Sequence, residues 1–91
     1  MTAGIKETPA LRSILEFMLR DPAEEMSVRR IAKPLKLSVV TIVRHLNALT
    51  EQGFVTRRIL NEGGYPAKVY LFKLTEGGVR EAEKVMSRTA E

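Results

Sequence analysis

The side chains in this sequence able to do chemistry are its cations. Arg29, Arg30, Lys33 and Lys36 cluster ahead of Ser38, Arg44 and His45 follow within one segment, and Arg57, Arg58 and Lys68 come later. A guanidinium donates paired hydrogen bonds to a phosphate or a guanine edge, and an ammonium binds phosphate as a point charge. Between Arg29 and Lys73 there are nine Lys/Arg and two Asp/Glu, whereas the flanks hold six basic and nine acidic residues. The formal net charge of +4 is thus concentrated in the middle of the chain, as expected of a surface that faces phosphates. A basic balance is compatible with a nucleic-acid partner without showing one.

Catalytic chemistry has no comparable support. The absence of cysteine excludes a disulfide framework, a thiolate zinc site and a cysteine nucleophile, and the single histidine cannot make a metal site alone. Glu24/Glu25 and Glu81/Glu83 have no nucleophile–base arrangement beside them, and read as charge pairs on a loop and a helix. Gly63-Gly64 matches neither phosphate-cradling glycine pattern and reads as a flexible turn. We expect no enzyme activity, no cofactor and no metal. No apolar run approaches the ~18 residues that mark a membrane span, and the first residues lack a secretory apolar stretch. A cytoplasmic location and no membrane partner are expected.

The cations need a scaffold, and 91 residues provide one domain with a thin core. Residues 1–7 read as a loose tail. Thr8-Pro9 is a helix start, with the proline at a position where its missing N–H costs nothing. Leu11, Ile14, Leu15, Met18 and Leu19 recur at helical spacing and predict one buried face, which Asp21-Pro22 ends. A short strand is expected between this helix and the next. Ser27 can cap a second helix from Val28 to Pro34 or Leu35, with Val28, Ile31, Ala32 and Leu35 inward. Pro34 removes the N–H that would reach the Arg30 carbonyl, so a kinked or frayed last turn is expected.

After the connector Leu35-Lys36-Leu37-Ser38, Ser38 caps a third helix over 39–52 whose buried stripe is Ile42, Leu46 and Leu49. Gly53 supplies the left-handed residue that ends it. The periodicity then changes to that of strands: Phe54–Leu60, a turn-rich loop over 61–67, and Lys68–Leu74 with Tyr70, Phe72 and Leu74 on one face. Thr75 caps a last helix to about Arg88, with Val79, Ala82, Met86 and Val85 on its apolar side.

Two helices joined by a short turn and followed by a β-hairpin describe a winged helix-turn-helix: α+β, mostly α, with a three-helix core, a hairpin wing and a C-terminal helix. The run Ile31–Leu49, then Gly53-Phe54-Val55, and later Leu74-Thr75-Glu76-Gly77-Gly78, resembles the core of MarR-, ArsR- and PadR-type transcriptional regulators. The likeness extends from Ser27 to Val85; Pro34 departs from it, standing where a polar helix former is usual. The resemblance implies a wing, here Arg57, Arg58, Asn61, Gly63, Gly64, Tyr65 and Lys68, that approaches the minor groove or the backbone.

Projecting the third helix around Ile42 points Val40 and Arg44 away from the core, with Thr41, Asn47, Ala48 and Glu51 beside them. The early exposed residues of such a helix reach base edges. Val40, Thr41, Arg44 and Asn47 are therefore the expected base readers: Arg44 toward guanine O6 and N7, Val40 or the Thr41 methyl toward a thymine methyl. Arg29, Arg30, Lys33, Lys36 and Ser38 are expected on flanking phosphates, which set position rather than sequence. His45, at the border of the buried stripe, is either a further phosphate contact or a structural histidine.

The reading this favours is a sequence-specific regulator on double-stranded DNA, acting as a homodimer on a two-fold site. The dimer surface is expected on exposed apolar residues of the first and last helices: Leu11, Leu15, Met18, Val85 and Met86. The competing readings are a winged-helix module for protein–protein assembly and an RNA- or replication-origin-binding protein. A small-molecule effector is left open.

Overall fold

The computed structural model describes residues 8–60 and 69–89. The elements in chain order are α1 (Pro9–Leu19), β1 (Met26–Ser27), α2 (Val28–Leu35), α3 (Val39–Glu51), β2 (Val55–Leu60), β3 (Val69–Leu74) and α4 (Glu76–Thr89). Each helix starts on a hydroxyl that takes up one of the N–H groups its first turn leaves without a helical partner. Thr8 accepts from the amide of Leu11 at 3.1 Å, Ser27 from Arg30 at 3.2 Å, Ser38 from Thr41 at 3.1 Å and Thr75 from Gly78 at 2.9 Å.

The helix ends differ in chemistry. α3 closes with Gly53 at φ 82; the amide of Gly53 reaches the Thr50 carbonyl at 3.1 Å and that of Phe54 reaches Leu49 at 2.9 Å. This is the paired arrangement that a left-handed glycine permits. In α2, Pro34 lies inside the helix, but the expected fraying does not occur. Two residues on, the amide of Lys36 closes the turn on the Ala32 carbonyl at 2.9 Å. Lys36 itself takes the left-handed conformation at φ 57, the only non-glycine to do so among the described residues.

The described strands form one antiparallel sheet in the order β1–β3–β2. Val55 lies opposite Leu74, Arg57 opposite Phe72 and Leu60 opposite Val69, while Met26 of β1 faces Phe72 from the other side. The base of the hairpin is tied twice. The Thr75 amide donates to the Phe54 carbonyl at 3.0 Å, and its hydroxyl donates to the Gly53 carbonyl at 2.8 Å. Gly78 then lies so close to the Phe54 carbonyl that a side chain there would collide with it. The Leu-Thr-x-x-Gly pattern thus has a steric cause. The expected wing-tip residues Asn61, Gly63, Gly64, Tyr65 and Lys68 lie outside the described residues.

The core draws on every layer: Leu11, Ile14, Leu15 and Met18 of α1, Ile31 and Ala32 of α2, Ile42, Leu46 and Leu49 of α3, Met26, Val55, Phe72 and Leu74 of the sheet, and Ala82 and Val85 of α4. This corrects the expected dimer surface. Leu11, Leu15, Met18 and Val85 are each at most 2% exposed, and Met86 is half-buried against the same core. α1 packs against α4, α2 and α3 in one chain, so its apolar stripe is covered without a partner.

Candidate nucleic-acid interface

α3 is fixed from behind and open in front. Ile42, Leu46 and Leu49 sink into the core, and the opposite face presents Val40, Arg44, Asn47, Ala48 and Glu51 to solvent, with Thr41 half-buried at its edge. Arg44 has neither an ion pair nor a hydrogen-bond partner among the described residues. Arg29, Lys33 and Lys36, on α2 and the turn after it, are likewise exposed and unpaired among the described residues. Free guanidinium and ammonium groups thus stand on two successive helices and the turn between them.

The other expected phosphate contacts are engaged within the chain. Arg30 is paired with Glu24 at 2.9 Å. The Ser38 hydroxyl accepts from the Thr41 amide and donates to the Thr41 hydroxyl at 2.9 Å, so its proton is already used. The hydroxyl still able to donate at this end of α3 is that of Thr41. Of the two roles expected for His45, its contacts favour the structural one. Its Nδ1 lies 2.8 Å from the Thr41 carbonyl, which can only accept, so Nδ1 carries a proton and donates. Its Nε2 lies 3.2 Å from the Thr8 hydroxyl that caps α1. Both ring nitrogens are used, and His45 is a structural link between the start of α1 and the middle of α3.

Strand alternation separates the two wing arginines. Arg57 shares a face with Val55 and Ile59 and opposes Phe72, whereas Arg58 points to the other face. Arg57 lies over the Tyr70 ring, 5.5 Å from its centroid, and its Nη1 makes a long hydrogen bond of 3.5 Å to the Asn47 side-chain oxygen. It thereby joins the wing to an expected base-reading residue of α3. Arg58 holds Glu25 through two bonds, of 2.8 and 2.6 Å. That hydrogen bonding, and then the charges of Arg58 and Lys73, hold the Glu25 carboxyl below its usual range, while its partial desolvation opposes them. The carboxylate in turn raises the Arg58 guanidinium further above its ordinary value. Sequence reasoning missed Glu25 as a partner, because Glu25 and Arg58 are 33 residues apart and nothing local joins them.

A second helix packed on the core, a third helix whose open face carries Arg44, and a hairpin tied to its far end define a winged helix-turn-helix. The family model described as bacterial regulatory protein, arsR family, matches residues 9–57, from the start of α1 into β2. The chain belongs to that family. No curated protein matches the sequence.

Among solved structures, a possible transcriptional regulator from Methanosarcina mazei is 26% identical with a TM-score of 0.71, over 92% of this chain and 71% of its own. A variant of ZitR from Lactococcus lactis is 23% identical with a TM-score of 0.70, over 96% of this chain and 56% of its own. PadR of Bacillus subtilis, solved in complex with operator DNA, is 23% identical with a TM-score of 0.74, over 87% of this chain and 48% of its own. The chain therefore spans a little over half the length of ZitR and about half that of PadR. At 23% identity both likenesses concern the fold.

Proposed function

We propose that this domain is a sequence-specific transcriptional regulator that binds double-stranded DNA, with α3 in the major groove and the wing near the minor groove or the backbone. The observation that carries this is the open face of α3: Arg44 stands there exposed and unpaired among the described residues, and the equally free Arg29, Lys33 and Lys36 stand on the preceding helix and turn. Membership of a bacterial regulatory family supports it, as does a fold shared with PadR, which was solved with operator DNA. Arg44 reads a base edge; Arg29, Lys33 and Lys36 take phosphates; Arg57 braces the wing against α3. The domain binds rather than catalyses, and it acts in the cytoplasm as a homodimer on a two-fold site. No helix among the described residues is long and apolar enough to cross a membrane.

Duplex binding by fluorescence anisotropy at rising salt tests the reading. Each phosphate contact should add about 0.9 to the magnitude of the salt slope. Affinity that stays flat across salt would instead support an assembly module.

A further inference from the structure

We propose that the first turn of α3 is a 5-methyl reader: Val39 and Val40 select a 5-methylpyrimidine, thymine in ordinary DNA, within about two base pairs of the base that Arg44 reads. This deepens the reading of α3 as the DNA-reading helix and rests on it. Val39 is 50% and Val40 66% exposed. Every other large apolar side chain of the described helices is buried or half-buried. The remaining exposed ones, Ile59, Val69 and Tyr70, are on the wing hairpin.

Two adjacent β-branched residues are a poor choice for an exposed helical turn on propensity alone, since each loses side-chain freedom there. Their neighbours are polar: Ser38 caps the turn, the Thr41 hydroxyl follows, and Arg44 stands one turn further along the same face as Val40. An apolar spot of two valines is far smaller than the ~800 Å² per partner that a stable protein interface needs. Set among hydrogen-bonding groups, it fits the one apolar group on a major-groove edge, the pyrimidine 5-methyl.

The spacing follows from helix geometry. Four residues advance about 6 Å along α3, while base pairs rise about 3.4 Å and their groove edges also turn about the duplex axis, so Val40 and Arg44 meet bases at most about two steps apart.

The test starts from the duplex enriched from a random pool by the full chain. Each thymine is then replaced in turn by deoxyuridine, which removes the methyl and leaves the hydrogen-bonding pattern unchanged. One such replacement, within about two base pairs of the guanine whose preference Arg44→Ala relaxes, should weaken binding about fourfold, as expected for one buried carbon. The double variant Val39→Ser/Val40→Ser should bind the two duplexes alike; circular dichroism of that variant checks that α3 still folds. Binding indifferent to every deoxyuridine overturns the methyl reading, as does a deoxyuridine effect that survives in the double variant. In either case an intact Arg44 effect leaves the DNA-reading role of α3 standing. A pool that yields no enriched duplex overturns both.

Discussion

Lys36 carries two separable properties, a free ammonium and a left-handed backbone. A side chain in that conformation costs about 1 kcal/mol relative to glycine, offset in part by the greater chain entropy that glycine loses on folding. Lys36→Gly should therefore raise stability by up to about 1 kcal/mol in urea denaturation. Both Lys36→Gly and Lys36→Ala should weaken every duplex alike and lower the salt slope by about one unit. Gly78 gives a sharper steric case. Gly78→Ala should destabilise by about 1–3 kcal/mol, because the new methyl meets the Phe54 carbonyl. Gly77→Ala, with only ordinary contacts around it, should be neutral or stabilising by up to about 1 kcal/mol from helix propensity. Thermal melts of the pair check this. Thr75 and Gly78 were legible in the sequence as a motif, but the carbonyl that forbids a side chain comes from Phe54, well upstream. The backbone of Lys36 was not legible at all, since lysine has no preference for that conformation.

Helix starts were legible because a cap is a local event: Thr8, Ser27, Ser38 and Thr75 each bond an amide three residues on. The glycine-closed end of α3 was legible for the same reason. What holds the wing was not, because the contacts join distant elements. Arg57 reaches Asn47 across the α3–β2 junction, and Arg58 reaches Glu25 beside β1. The Glu25–Arg58 pair has a pH signature. The Glu25 carboxyl is depressed in the folded state by its bonds to Arg58, so what it contributes is fully present at neutral pH. That contribution fades as the pH falls below the ordinary carboxylate value of 4.5 and through the depressed one. Wild type should exceed Glu25→Gln in stability at pH 7 by a small margin that closes on acidification. Denaturation at a series of pH values checks this; a gap that widens toward acid contradicts it.

At the scale of the whole molecule, helical periodicity shows that a helix has one covered face, but not what covers it. The stripes of α1 and α4 looked available to a second copy, and in the structure they cover each other and the remaining core. A homodimer must therefore use other surface. The proposed homodimer on a two-fold site would bind half-sites about 34–36 Å apart. Sedimentation at micromolar concentration, with and without the enriched duplex, should show two protomers on the DNA; a monomer in both conditions contradicts it.

The central claim is that the open face of α3 reads sequence through Arg44. Parallel selection from one random duplex pool by wild type and by Arg44→Ala tests it most directly. Wild type should enrich a motif containing a guanine, and the variant should lose preference at that guanine while retaining the others, a discrimination loss of about 1–3 kcal/mol. Enrichment of the same motif by both proteins would contradict the account.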